Sequence, residues 1–462
     1  MSTRTRGWLL VIAVIVLGYP LAAWIIGFTV ERQMEAREQL ALEQAAPYLS
    51  IVERSYRRGV YGATEVVTIG LGSPVMKAVP AGDALAALRV TVRNTIHHGP
   101  LPRLRTIALA TVDTEFALPP EVQKRIDALL GGKKLVDMQT TLGWLGGYKM
   151  DFSTPAFSGE IAPNTTLGSS GMVGTATGTR NMTSSTANFT AKSVSVANKD
   201  FEMRLDDLHA QAATTRAFKT LNVGEGSVTL GSLDAHSRKE GEGDKQFSLQ
   251  QVAITGKSSV TGDYVDLHAG VTAASLQVPK FSATKLGYEF ATSHVYGPSF
   301  EDLIDGMRNI NRTLPPTATS ERLQKLSEIF RKDGIEILVR DPVFEITRIG
   351  FVTPEGELNV TGRFATPGLK SQDVAEPGPA MTVALIQHLQ AKADIRVDTD
   401  LLDKLTEGTP GNGDKLAAQV RAFEDQGYIT HEGKTLTTHL VFEHGKLIVN
   451  GKPFPPTRGQ PQ

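Results

Sequence analysis

From Trp8 to Phe28 the chain carries no charged residue, WLLVIAVIVLGYPLAAWIIGF, and Arg4 and Arg6 precede that run. As a helix it would be about 31 Å long, close to the hydrocarbon thickness of a bilayer. No acid occurs before Glu31, so the positive N-terminus is expected on the cytoplasmic side, with residues 29–462 beyond the membrane. A cleaved secretory signal is the plainer alternative, but its apolar core is usually about 7–15 residues long. Here a cleavage site after Ala23 would fall inside apolar sequence that continues through Trp24 to Phe28. The run therefore reads as an uncleaved transmembrane signal anchor over residues 8–28, with 1–7 cytoplasmic. Pro20 is tolerable in such a helix because lipid-embedded helices accept proline more readily than soluble ones.

The charge balance is flat, with 48 basic and 49 acidic residues. No global field favours a polyanion, so nucleic acid is not an expected partner. Cysteine is absent, which removes disulfides, thiolate metal sites and a cysteine nucleophile. A large exported domain must then hold together through its core and its backbone pairing.

After the apolar run, ERQMEAREQLALEQ (residues 31–44) is built from strong helix formers without Gly or Pro, so a helical stalk is expected over 29–46, ending near Pro47. Its mixed polar face of Glu31, Arg32, Glu35, Arg37 and Glu38 reads most simply as solvated. Beyond it, period-two alternation dominates, as in Phe201-Met203-Leu205, Val265-Leu267-Ala269-Val271 and Ile335-Ile337-Val339. Such alternation marks half-buried strands. Thr261-Gly262-Asp263, Pro354-Glu355-Gly356, His431-Glu432-Gly433 and His444-Gly445 punctuate the runs as turns. Residues 428–451 read as a three-strand meander, and the Gly/Ser/Thr-rich stretch 158–187 as weakly apolar strands.

Helices are expected at 120–130, stopped by Gly131-Gly132, then at 299–313 and 320–332, and in shorter pieces at 380–390 and 400–404. The expected class is α+β, mostly β: an N-terminal single transmembrane helix, then a large twisted or curved antiparallel sheet with a few packing helices. One β-rich domain spans 47–452 and a disordered tail 453–462.

Several strings occur in a telling order. Tyr56-Arg57-Arg58-Gly59-Val60-Tyr61 follows the apolar run, and a strand ends in Ile96-His97-His98-Gly99-Pro100-Leu101. A helical pair leads into Ile335 to Pro342; Gly427-Tyr428-Ile429 and Gly445 to Lys452 close the chain. This order resembles the YdgA-like family of bacterial inner-membrane-anchored proteins, a domain of unknown function. The resemblance implies a β-rich periplasmic domain in a Gram-negative envelope and supplies no catalytic residues.

The most distinctive local string is His97-His98-Gly99-Pro100. A histidine there could serve as a general base or metal ligand. Adjacent strand residues point to opposite faces, however, so the two cannot easily share one ion, and Gly99-Pro100 reads as a strand end and rigid turn. Tyr56-Arg57-Arg58-Gly59 could offer a guanidinium pair to lipid phosphates; the plainer reading is a hairpin whose Gly59 permits an unusual backbone, with arginines solvated or paired to Glu53 and Glu65. Asp206, Asp207, His439 and His444 lack any established metal-ligand spacing. The chain has no nucleophile elbow, phosphate loop or zinc-protease helix motif.

No catalytic residue, metal or cofactor is assigned. The expected function is that of a non-enzymatic envelope protein binding an apolar ligand, such as a lipid, or a protein partner through a curved sheet. Alternatives are a periplasmic hydrolase using His97 or His98 with a distant carboxylate, and a scaffold forming a homo-oligomer.

Overall fold

A computed structural model describes residues 3–45, 49–71, 89–162, 164–238, 245–314, 318–376, 378–407 and 413–454, without side chains at 3–17, 40–45, 71, 161–162, 406–407 and 413–417. The chain divides into two compact units. The first comprises residues 1–196, 210–216 and 307–326, and the second 197–209, 217–306 and 327–462.

The first unit opens with one continuous helix, α1 (Thr3–Ala45), which runs through Pro20. Strands follow in order: β1 (Leu49–Arg58), β2 (Gly62–Leu71), β3 (Arg89–His98), β4 (Ala110–Ala117), β5 (Asp137–Leu142) and β6 (Tyr148–Thr154), each antiparallel to the next. Then β7 (Phe157–Ala162) and β8 (Thr165–Ser169) form a hairpin, and β9 (Met172–Gly178) returns to pair with β6. The next strand, β10 (Ser184–Ala197), pairs with β9 and β8. The Gly/Ser/Thr-rich stretch is thus strand, as its composition of small β-tolerant residues allows. The helix Pro120–Leu130, between β4 and β5, starts on proline and ends on Gly131 at φ +59°, the left-handed cap that glycine supplies without steric cost.

α1 does not stand free of this sheet. Ile26 and Val30 bury with Ala63, Ile96, Leu109, Ala110, Val112 and Leu142, with Met34 packed alongside. Together with Ala23, which is fully buried, they form a stripe at helical spacing. The charged face expected to be solvated is instead bonded to β1: Glu31 lies 2.8 Å from Arg58, and Glu38 2.8 Å from Arg54. Leu21, Trp24, Ile25 and Phe28, on the other side of α1, are exposed. Among the described residues no helix is long and apolar enough to cross a membrane. The side chains of Trp8 to Leu17, much of the expected span, lie outside the described residues, as do Pro47 and the tail from 455.

In the chain, β11 (Phe201–Arg216) precedes a run of long hairpins in the second unit. These are β12 (Asn222–Ser237), β13 (Lys245–Thr261), β14 (Tyr264–Val278) and β15 (Phe281–Tyr296), continued by β16 (Val343–Thr353), β17 (Gly356–Ala365) and β18 (Gln390–Asp398). Then β19 (Thr430–Glu432), β20 (Thr435–Glu443) and β21 (Lys446–Val449) form the expected meander, extended by the two-residue β22 (Lys452–Pro453); β20 pairs with β18. Turns fall where the sequence places them, with Gly262, Gly433 and Gly445 in the left-handed region.

Two readings need correction here. Ile335 to Val339 is not a strand: Phe330–Gly334 forms a π-helical turn and Ile335–Leu338 a short helix. The alternation of Ile335, Ile337 and Val339 coexists with a helical i, i+3, i+4 set, Ile335-Leu338-Val339, which packs with Leu369, Val374, Met381 and Leu385. Gly413–Asp425 is a helix absent from the sequence reading, although Leu416, Val420 and Phe423 carry its period.

α1 approaches β3 closely because Gly27 has no side chain. A Cβ there would stand 2.8 Å from His98 Cε1 and 3.1 Å from Arg58 Cδ. Gly27→Val should therefore lower stability by about 1–3 kcal/mol through overpacking, read as a fall in the urea midpoint of the detergent-solubilised chain. An unchanged midpoint would mean that α1 does not rest on β3.

Candidate functional site: an apolar cavity beneath the N-terminal helix

Cross-strand register sets up the site. Tyr56, Glu65, Asn94, Thr114 and Met138 stand opposite one another in sequence from β1 to β5. Residues paired this way share a face. Glu65 is completely buried, a state that carboxylates occupy only when paired. Its Oε1 accepts from Arg54 Nη2 at 2.7 Å and Nε at 3.1 Å. On its other oxygen it accepts from Asn94 Nδ2 at 2.9 Å, and Thr114 donates to Asn94 Oδ1 at 2.8 Å. A polar chain thus crosses four strands on the face that α1 covers.

Arg54 ties that chain to the helix, since it also lies 2.8 Å from Glu38 and 3.7 Å from Glu35. Glu38 nevertheless holds its proton unusually well, its pKa pushed up to about 7. Burial is the main cause, followed by the charge of Glu65; Arg54 opposes both. One turn-face away, Arg37 donates to the Gly146 carbonyl at 2.6 Å and lies over the Tyr148 ring, 5.0 Å from its centroid.

Between helix and sheet lies a cavity of about 490 Å³. Leu49, Ile51, Val67, Ile69, Val92, Phe116, Met138 and Met150 give it apolar walls; Met34, Arg37 and Glu38 face it from α1, and Asn94 and Thr114 from the polar chain. Its walls come from six strands, β1 to β6. Its size falls within the roughly 300–1,000 Å³ of small-molecule sites, which likewise combine apolar walls with a few placed polar groups.

The residues singled out in the sequence lie at one end of this arrangement and do not form one centre. His98 is buried under α1, with Nδ1 3.0 Å from the Ala23 carbonyl. Burial lowers its pKa, outweighing the Ala23 and Gly62 carbonyls that favour the protonated ring. Nε2 has no hydrogen bond among the described residues. His97 points to the other face, as adjacent strand residues must. There its Nε2 lies 2.9 Å from Arg103 Nη2 and 4.0 Å from Asp113 Oδ2. Arg103 also pairs with Asp113, whose other oxygen takes Gln139 at 3.0 Å. Arg103 occupies the ring's lone pair and the carboxylate together, so His97 and Asp113 are not arranged as a base and its orienting acid.

Gly99, at φ +136°, lets the chain pass Ala23, and Pro100 continues that turn. Gly59 closes the β1–β2 hairpin by donating to the Gly62 carbonyl at 2.7 Å, and its φ is not among the positive ones, against the expected unusual backbone. Arg58 pairs with Glu31, lying over the Phe28 ring 3.4 Å from its centroid. Arg57 is exposed. The Tyr56 hydroxyl is buried without a partner among the described residues, and burial raises its pKa.

Sequence reasoning missed Arg54, Asn94, Thr114 and the contribution of Arg37 and Glu38. A signal was present: Glu65 and Asn94 interrupt otherwise β-branched strands, GATEVVTIGL and RVTVRNTIHH. Glu65 was expected to meet Arg57 or Arg58; the partner is Arg54, which register places on the right face.

The fold and cavity define a mostly antiparallel β protein whose N-terminal helix roofs an apolar chamber. The chain belongs to the bacterial family of unknown function DUF945, whose model matches residues 5–457. No curated protein and no solved structure matches it.

Glu65→Ala leaves Arg54 to Glu38 and Glu35 but takes the acceptor from buried Asn94 and should cost about 1–3 kcal/mol, whereas Lys134→Ala, at an exposed pair with Glu115, should cost less than about 1 kcal/mol; urea unfolding compares them. Glu38 adds a pH dependence. The folded carboxyl keeps its proton up to about pH 7, against an ordinary value of 4.5. Between those values the folded state binds more protons, so this group's stabilisation is full at low pH and lost as pH rises through 7. Unfolding midpoints measured across that window should fall with pH, and Glu38→Gln should flatten the fall.

Proposed function

We propose that this chain is a non-enzymatic envelope protein, anchored in the bacterial inner membrane by the part of the apolar run 8–28 that precedes the residues packed on the sheet, and that it holds an apolar chain in the cavity under α1. The resemblance to the YdgA-like proteins and a periplasmic location for the β-rich region belong to the same reading. The cavity carries it: walls of Leu, Ile, Val, Phe and Met with Arg37 and Glu38 at the helix side suit an amphiphile with one acyl-like tail. Burying each methylene of such a tail is worth about 0.8 kcal/mol, so a modest length provides useful affinity without any covalent chemistry. Supporting the absence of catalysis, His97 and His98 face opposite ways and the carboxylate near His97 is taken by Arg103.

The test is native mass spectrometry and solvent extraction of the full chain purified from its own membranes. Wild-type protein should carry a bound lipid or fatty acid. Val92→Phe with Met150→Phe, which fill the cavity from two walls, should lose most of that occupant while keeping the unfolding midpoint. A ligand-free wild type, or a filled variant that retains the same occupant, would refute the reading.

A further inference from the structure

We propose that the helix-proximal end of the first unit's sheet is a second membrane-contacting surface, which inserts its loop tips into the headgroup region of an anionic bilayer. It rests on reading the apolar run as the anchor, with the bilayer holding the part of it ahead of Tyr19. Register places three connections at one end: Gly62 pairs with His97, His98 with Ala110, Ala110 with Leu142, and Leu142 with Tyr148. The tips at 59–61, 99–109 and 143–147 therefore project the same way.

All three carry large apolar side chains into solvent. Leu104 is 78% exposed, Ile107 77% and Leu145 93%; Val60, Tyr61, Leu101 and Trp144 are also exposed. Arg103 and Leu104 both adopt left-handed backbone, φ 54° and 55°, a conformation costly for such residues. The loop is held there by the fold and turns Leu104 outward. None of the three tips contains a carboxylate, and Arg57, Arg103 and Arg105 flank or occupy them. Arg103 is compensated by Asp113, which leaves Arg57 and Arg105 as the cations of this end. Apolar groups with an indole and arginines, and without acids, match the boundary between acyl chains and anionic headgroups.

The occupant is further indicated by where α1 arrives. Tyr19 donates to the Leu101 carbonyl at 2.9 Å and stacks on Tyr61, with ring centroids 6.1 Å apart. Gly99 rests against Ala23. The apolar run thus reaches the sheet at the end that bears the exposed tips. A membrane holding the part of that run ahead of Tyr19 would meet Tyr61, Leu101 and Leu104 first, whereas the 143–147 tip, whose Gly146 carbonyl accepts from Arg37, stands further along α1.

The absence of cysteine makes the test direct. Single variants Leu104→Cys, Leu145→Cys, Glu121→Cys and Val11→Cys are labelled with an environment-sensitive fluorophore. The full chain is then reconstituted in phosphatidylcholine vesicles containing phosphatidylglycerol. Glu121 lies in the helix Pro120–Leu130, which joins the far ends of β4 and β5, and serves as the aqueous control. The label at 104 should be quenched several-fold more by lipid-borne nitroxides, and less by iodide, than the label at 121, with the label at 145 between the two. Equal iodide access at 104, 145 and 121 would overturn the proposal, even with Val11 protected. Labels shielded from iodide but untouched by lipid nitroxides would overturn it too, in favour of a protein contact. If Val11 proves wet while 104 and 145 are lipid-quenched, the anchor reading fails and the docking surface stands.

Discussion

The arrangement of the N-terminal unit depends on Arg54. One guanidinium, projecting from β1, holds the fully buried Glu65 of β2 and reaches Glu35 and Glu38 of α1. A buried carboxylate without such a partner would be severely destabilising. Satisfying Glu65 therefore requires both the register that places Arg54 beside it and a helix whose acids accept the rest of that guanidinium. Arg37 and Glu38 stand at the chamber in place of an apolar pair that would fill it, so cavity and helix docking are in this sense one feature.

One helix makes both sets of contacts: Ala23, Ile26 and Val30 pack on the sheet, while Met34, Arg37 and Glu38 face the chamber, so any displacement of the helix changes what the chamber can hold. Glu38 adds a titratable element to that roof, with burial and Glu65 keeping it protonated well above the usual carboxylate range. The second unit holds a smaller apolar cavity of about 250 Å³ lined by Leu338, Phe344, Phe364, Leu385 and Leu389. Its helical end closes a compact apolar cluster around Ile335, Leu369 and Val374, while its long strands keep many side chains only partly covered.

Much of the fold was legible in the chain. Turn residues located the hairpins, since Gly262, Gly433 and Gly445 supply the left-handed backbone that tight connections need. Proline and glycine bracketed the helix at 120–130 for equally local reasons. The reading failed where a local pattern served two structures. Ile335 to Val339 satisfies strand and helix periods alike over so few residues, and packing on Leu369, Val374 and Met381 decided for the helix. It failed again at Glu31, Glu35 and Glu38, whose exposed appearance along the sequence gave no hint of partners on β1.

By itself, then, the sequence determined the β-rich class, the positions of most turns, the long N-terminal helix and the opposed faces of His97 and His98, because each follows from short-range geometry. Only the tertiary structure decided that Glu65 pairs with Arg54, that Gly27 and Gly99 let α1 lie on the sheet, and that a chamber remains between them. Those outcomes depend on register between strands distant in the chain and on the angle at which a helix crosses them. Residue periodicity carries no information about either.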